Sequence, residues 1–264
     1  MLIILCLLAL TSSCCGQSWR KVEGSMKHVS IGKAGVWAVD TDDMIYYREG
    51  TYQEPNAIGT SWTHVPGDFK VIDVGTDIVV GIYKWFEVYY RKDITAENPT
   101  GSSWVKLDGY LNHVTVSPHG AIWGIGDWYS VWFRNGISLD NPVGTGWQKV
   151  DGRFTKIYAG PSGVWTVDYR DNIFYREGTY GGNITVGRGW TKVDGNLVYV
   201  ASGSDVVVGL NRGHKLFRRT GISETNPTGD RWVPMDGQLF RIDEYGGTMW
   251  GVRSGWNIFT SPTN

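Results

Sequence analysis

A tryptophan returns along this chain at a nearly constant interval. Trp19, Trp62, Trp104, Trp147, Trp190 and Trp232 are separated by 43, 42, 43, 43 and 42 residues. Each is followed by a short alternating run and a glycine, as in Trp104-Val-Lys-Leu-Asp-Gly109. Chance does not space six of fourteen tryptophans this evenly. A fixed period of about 40–45 residues means stacked or radial repeats, each too small to bury its own apolar face.

Every period carries four short apolar runs with turn residues between them. In the first, Met26–Ile31 alternates, Gly35-Val-Trp-Ala-Val39 follows, then Met44-Ile-Tyr-Tyr-Arg48, and Trp62-Thr-His-Val65 closes the unit. Four strands of four to six residues predict a small antiparallel meander. The chain opens on a fourth-type run at Trp19–Val22 and stops after a third-type run at Asn257–Thr260. The N-terminal strand therefore completes the last unit, and a ring closed in this way exposes no unpaired end. The predicted fold is all-β, a six-bladed β-propeller of four-stranded blades closed by the N-terminal strand joining the last blade.

A second order is superimposed. A shift of 128 residues brings Gly35-Val-Trp-Ala-Val-Asp40 onto Gly163-Val-Trp-Thr-Val-Asp168, and Tyr47-Arg-Glu-Gly-Thr-Tyr52 onto Tyr175-Arg-Glu-Gly-Thr-Tyr180. Blades one to three are duplicated as blades four to six, so a binding site is expected at least twice.

Residues 1–16 combine an apolar run of about ten residues, too short to span a bilayer, with small residues ending at Gly16. They predict a signal peptide, which leaves 17–264 as a single propeller domain, secreted to the extracellular space. Cys6, Cys14 and Cys15 all fall in that leader. The remaining chain then relies on its own core rather than on disulfides. Asn183-Ile-Thr185 is the one glycosylation sequon. The net charge is −1 with no basic stripe, so nucleic acid is excluded as the main partner, and no membrane span is predicted.

The recurrent Trp reads as scaffold, packed against the neighbouring blade with its N–H on a nearby carbonyl. Trp37, Trp123, Trp165 and Trp250 of the second strand read as inter-blade core. Arg48, Arg91, Arg134, Arg176 and Arg219 of the third strand would hold carboxylates or loop carbonyls. The residues that break the repeat are more informative. Eleven residues always separate Trp37 from Arg48 and their equivalents, but the turn between them varies. Three blades place aromatics there, Trp85-Phe86, Trp128-Tyr129 and Trp256; the others place Asp42-Asp43, Arg170-Asp171 and His214. An indole at a turn tip either packs on the adjacent loop or offers a stacking platform for a sugar ring. Trp85, Trp128 and Trp256, with Asp43, Asp171 and Asn211 as hydroxyl partners, are the sugar-site candidates.

The motifs Trp-x-Lys-Val-x-Gly (19–24, 147–152, 190–195), Gly-Val-Trp-x-Val-Asp-x-x-Asp/Asn-x-Ile-x-Tyr-Arg (35–48, 163–176) and Asn-Pro-x-Gly-x-x-Trp (98–104, 141–147, 226–232) resemble those of tectonin-type lectins, and most closely the fish egg lectins. The resemblance covers all six repeats. It implies a secreted propeller that binds N-acetylglucosamine-containing or bacterial surface glycans such as lipopolysaccharide, in egg protection or innate defence. Fish egg lectins generally carry disulfide cysteines in the mature chain. Residues 17–264 have none, which argues against a disulfide-stapled terminus.

Two other classes are an enzyme and a docking scaffold. A propeller enzyme would gather acids or metal ligands, but no HExxH, GxSxG or Cys/His cluster is present, and the five His are scattered. His28 and His113 occupy like positions in the first strand and read as packed or channel-lining. A protein-docking scaffold without sugar binding stays open, as does a homodimer. No cofactor is expected. Calcium at the Asp-rich turns (Asp40, Asp42, Asp43; Asp168, Asp171) is conceivable, but their spacing is not that of an EF-hand.

Overall fold

The computed structural model describes residues 17–263, so the predicted leader and its three cysteines lie outside the described residues. The strands form a propeller. Blade one consists of β2 (His28–Gly32), β3 (Gly35–Val39), β4 (Met44–Arg48) and the first half of β5 (Trp62–Val74). Blade two takes the second half of β5 with β6 (Val79–Tyr83), β7 (Glu87–Lys92) and β8 (Ser103–Tyr110). Residues 62–68 of β5 pair with β4 and residues 69–74 with β6, so one continuous strand joins two blades, bent at Gly67 (φ +139°).

The other blades are separate four-stranded sheets. Blade three is β9 (His113–Val116), β10 (Ile122–Ile125), β11 (Ser130–Asn135) and β12 (Gly146–Arg153). Blade four is β13 (Lys156–Gly160), β14 (Gly163–Val167), β15 (Asn172–Arg176) and β16 (Trp190–Asn196). Blade five is β17 (Tyr199–Ser202), β18 (Val207–Leu210), β19 (Lys215–Arg219) and β20 (Trp232–Gln238). Blade six is β21 (Arg241–Tyr245), β22 (Thr248–Val252), β23 (Asn257–Pro262) and the N-terminal β1 (Arg20–Ser25).

The first strands touch in cyclic order, β2 to β5, β9, β13, β17, β21 and back to β2. The termini make the closure. Arg20, Lys21 and Val22 pair with Thr260, Phe259 and Ile258, and Ser261 Oγ donates to the Ser18 carbonyl at 2.8 Å. The second strand of each blade loses the apolar–polar alternation because neighbouring blades cover both its faces. Trp37, Trp123, Trp165 and Trp250 are fully buried there, with Val80 and Val208 in the remaining blades. An aromatic of this size buries ~150–250 Å², which at ~25 cal/mol per Å² stabilises by about 4–6 kcal/mol.

The recurrent tryptophans are half-buried, and all six are tied in one way. Each indole donates to the outer strand of the preceding blade: Trp62 to Glu23 O (2.8 Å), Trp104 to Pro66 O (2.9 Å), Trp147 to Asp108 O (2.7 Å). Trp190, Trp232 and Trp19 donate likewise to Asp151, Asp194 and Asp236, each at 2.8 Å. The residue after every acceptor is a glycine with positive φ, 93° at Gly195. A Cβ there would lie 3.0–3.1 Å from the Trp232 indole. Trp and Gly recur together because each strand supplies the indole for one neighbour and the gap for the other.

The third-strand arginines complete the joint. Arg219 lies buried over Trp232 (5.4 Å to the ring centre), donates to the Thr228 carbonyl at 2.8 Å and pairs with Asp194 at 2.6 Å. Arg48, Arg134 and Arg176 do the same with Glu23, Asp108 and Asp151. Pro66 stands at the position of the acid for Arg91, which donates to the Thr100 and Gly101 carbonyls, and burial lowers its pKa. In blade six Ser261 stands at the arginine's place. Arg253, from the turn before β23, covers Trp19 there at 5.4 Å.

Gly195→Ala should cost about 1–3 kcal/mol through its backbone conformation, and Trp232→Phe about 1–2 kcal/mol through the lost hydrogen bond. Both changes break one contact, so the double variant should fall short of the sum by ~0.5 kcal/mol or more in urea unfolding. Strict additivity would separate the glycine from the indole.

Candidate functional site

The turn between second and third strands follows one rule in every blade. Its last residue has a left-handed backbone: Asp43, Phe86, Tyr129, Asp171, His214 and Trp256, with φ between 60° and 72°. The carbonyl of that residue accepts the N–H that opens the next blade, from Phe69, Leu111, Phe154, Leu197, Leu239 and Met26, at 2.7–3.1 Å. This position belongs to the scaffold. The residues before it fall into two classes. In blades one and four Asp40 and Asp168 Oδ1 each accept two backbone N–H groups of the turn, and in blade five Asn211 Oδ1 accepts from Lys215 at 3.0 Å. In blades two, three and six the turn is instead tightened by a second left-handed residue, Trp85 (φ 65°), Trp128 (φ 58°) and Gly255 (φ 71°).

The sequence grouped Trp85, Trp128 and Trp256 as one kind of residue; the structure separates them. Trp256 corresponds to Phe86 and Tyr129, is 42% exposed, and serves the blade joint through its backbone. Trp85 and Trp128 correspond to Gly255, and are 79% and 85% exposed. A bulky residue in this conformation costs ~1–3 kcal/mol, and neither indole recovers it by burial. Glycine makes the same turn in blade six without that strain.

The polar candidates are engaged with the scaffold. Asp43 pairs with Lys27, and Asp171 with Arg212 of the blade-five turn (3.0 Å), which brings Asp171 next to the turn that holds Asn211. Of the three indoles, Trp128 lines a groove.

That groove, about 550 Å³, runs along the flank of blade three between Tyr110, Trp128, Trp132, Trp147, Lys149 and Arg153. A second, about 620 Å³, occupies the flank of blade five, where Phe217, Gly237 and Gln238 correspond to Trp132, Gly152 and Arg153. The internal duplication instead pairs blade three with blade six. There Arg253 lies 4.2 Å over Phe259, the counterpart of Trp132, and fills the space. Sequence reasoning missed Tyr110, Lys149 and Arg153. The available signal was the position after the recurrent glycine, which changes in every blade: Ser25, Asp68, Tyr110, Arg153, Asn196, Gln238.

The ring centre gathers buried titratable groups, an arrangement that can mark an active site. Ser30 Oγ lies 3.1 Å from Asp73 and 2.9 Å from Asp243, and one hydroxyl proton cannot serve both carboxylates. Burial and then the Asp243 charge push Asp73 up; burial likewise raises Asp243. Burial takes Glu244 up to about 7, and brings His28 down to about 4 and His113 down to about 3. Lys156, brought down to about 8, and Arg241 face the same space. The two cavities here measure about 30 and 20 Å³, room for about one water each and none for a substrate. The carboxylates are held by protein donors, Asp73 by Thr115 Oγ1 and the Val116 N–H, both at 2.7 Å. This centre is structural.

Asn183 is exposed in the connection from third to fourth strand. Connections alternate faces in a meander, so it lies on the face opposite the aromatic turns. Among the described residues no helix is long and apolar enough to cross a membrane.

A family model described as "Tectonin domain" matches residues 4–111 and 56–254. The chain is 30% identical over 240 residues to "Perivitellin-2 31 kDa subunit" of Pomacea maculata, covering 88% of this chain and 83% of that one. The fold resembles yeast RCC1 (Prp20), solved with Kap60, at TM-score 0.55 and 11% identity, over 90% of this chain and 66% of that chain, just under two thirds. It also resembles YCF48 from Cyanidioschyzon merolae (TM-score 0.53, 14% identity, 89% and 81% covered) and the Cps50 (Swd1) beta-propeller domain of Myceliophteria thermophila (0.53, 7%, 90% and 84%). At these identities the solved structures support the fold alone.

Two measurements test these assignments. Trp128→Gly should leave the melting temperature unchanged or raise stability by up to ~1 kcal/mol, since it relieves the turn; a clear loss would return Trp128 to the scaffold. The central acids have raised pKa values, so their stabilising contribution is full at low pH and is lost as pH rises through about 7. The two depressed histidines act oppositely, losing theirs as pH falls from about 6.5 towards 4. Near pH 7 the acids dominate, because the histidines are already largely neutral in both states and Lys156 keeps most of its proton until about pH 8, so stability in urea should fall between about pH 6.5 and 7.5. A flat or rising profile would contradict the assignment.

Proposed function

The chain belongs to the tectonin domain family, and from that premise we propose that it is a secreted, multivalent lectin for N-acetylglucosamine-containing or bacterial surface glycans, lipopolysaccharide among them, in egg protection or innate defence. One observation carries the reading. Trp85 and Trp128 are held in a strained backbone with their indoles in solvent, where glycine suffices elsewhere in the same ring. An exposed indole face suits the C–H face of a sugar ring, and the polar groups beside it suit the hydroxyls. In this reading the protein binds and does no bond chemistry.

A single sugar site of this kind holds its ligand at about −4 kcal/mol, near millimolar. Several sites on one rigid ring raise avidity by ~10²–10⁴-fold on a dense glycan surface. Residues 1–16 would direct export, and a glycan on Asn183 would stand away from the aromatic face. The relative is named a subunit. Association with another chain or a second copy, through the same exposed aromatics, is therefore the second reading.

The test is a glycan array and whole-bacterium binding with the intact protein and the Trp85→Gly/Trp128→Gly variant. Binding should drop about tenfold or more in the variant while its melting temperature holds. Absence of binding to every surface would sink the lectin reading. Full binding by a folded variant would move the site away from these turns.

A further inference from the structure

Blades two and three differ in a cross-strand pair beside the groove. In blade two Glu87 stands opposite Tyr110 in the strand register and holds Lys106 in an ion pair. In blade three Ser130 takes the place of Glu87, opposite Arg153. Its hydroxyl is already engaged, donating to the Asp127 carbonyl at 2.7 Å and accepting from Trp132 Nε1 at 2.9 Å. Lys149 keeps the position of Lys106 but has lost the acid across the strand. Arg153 adds a second cation on the same flank. Among the described residues neither forms an ion pair.

These two cations line the same groove as the solvent-facing Trp128 and the exposed Tyr110. Its volume falls within the ~300–1,000 Å³ of ligand pockets. We propose that the blade-three groove binds an acidic saccharide, whose carboxylate or phosphate sits between Lys149 and Arg153 where Glu87 sits in blade two, while a sugar ring stacks on Trp128. The proposal rests on the lectin reading above and names the ligand class of one of its sites. Arg presents a planar fork to an anion and Lys a point charge, so both carboxylate and phosphate are accommodated. Asp127 is the one acid of the lining.

The arrangement occurs once in the ring. The positions equivalent to Arg153 hold Ser25, Asp68, Tyr110, Asn196 and Gln238. In the blade-five groove Pro234 and Gln238 replace Lys149 and Arg153. The Lys149–Arg153 pair therefore occurs once per chain, and the blade-five groove carries different cations, Lys215 and Arg253, beside Asp236.

The experiment titrates the intact protein, by calorimetry, with a glucuronate-containing disaccharide, with the same disaccharide after reduction of its carboxyl to the alcohol, and with a phosphorylated counterpart. The wild type should bind the charged forms roughly tenfold more tightly than the reduced form in low salt, with the difference shrinking at 0.5 M salt. Lys149→Gln/Arg153→Gln should erase that difference and keep the neutral binding; both residues are exposed, so the fold should hold. Trp128→Gly should weaken charged and neutral forms together. The charged ligand that shows the larger preference identifies the anion preferred. Equal binding of charged and reduced forms by the wild type, or an undiminished preference in the double variant, overturns the acidic site and leaves the lectin reading standing. Binding of none of these sugars, nor of any glycan surface, removes both.

Discussion

The joint between blades is a hydrogen bond from an indole to a carbonyl, and much else in the molecule follows from it. A propeller blade cannot bury its faces alone, so stability depends on how each blade meets the next. Here every blade meets the next through a tryptophan that reaches the preceding outer strand just before a glycine. The glycine is needed for the left-handed backbone and for the space that the indole enters. The arginine above the ring then binds a loop carbonyl, and in four blades an acid from the residue whose carbonyl the indole uses. Trp and Gly at fixed offsets thus specify one interface six times, and the arginine at its own offset completes it in five.

That economy explains what was legible in the sequence. The period of 42–43 residues, the four strands per unit and the closure by Trp19–Val22 could be read directly, because each is a local pattern repeated. The scaffold role of the recurrent Trp also followed, since an indole at a blade edge needs an acceptor. Less was legible where two blades solve one problem differently. Arg253 doing the work of a third-strand arginine lies outside the aligned column. The run of β5 through two blades depends on a bend at Gly67, not on residue type. The meeting of Asp73 and Asp243 on the Ser30 hydroxyl joins positions 170 residues apart, with no pattern to announce it.

The candidate site was half legible for a related reason. Aromatic residues at turn tips stood out, and Trp85 and Trp128 are where an exposed platform would be. Trp256 has the same residue type and a near-identical offset, yet it occupies the joint position, one residue later in the turn. A shift of one residue in a tight turn changes which side chain faces solvent, and alignment by composition does not resolve it. The acids Asp43 and Asp171 looked available because turn carboxylates usually are. Their lysine and arginine partners come from elsewhere in the fold.

Duplication and function have also parted. The halves of the chain match well enough that equivalent sites were expected on blades three and six. Blade six, however, is where the chain closes, and its third strand carries Ser261 in place of the arginine. The missing cation had to come from another segment, and Arg253 supplies it by lying across the surface that forms a groove on blade three. The residue that completes this joint thus covers, on the blade that closes the ring, the surface that is open on blade three. Blade three bears no such demand, and its flank is free to carry one tryptophan on a strained backbone and two unpaired cations that contribute nothing to the joint.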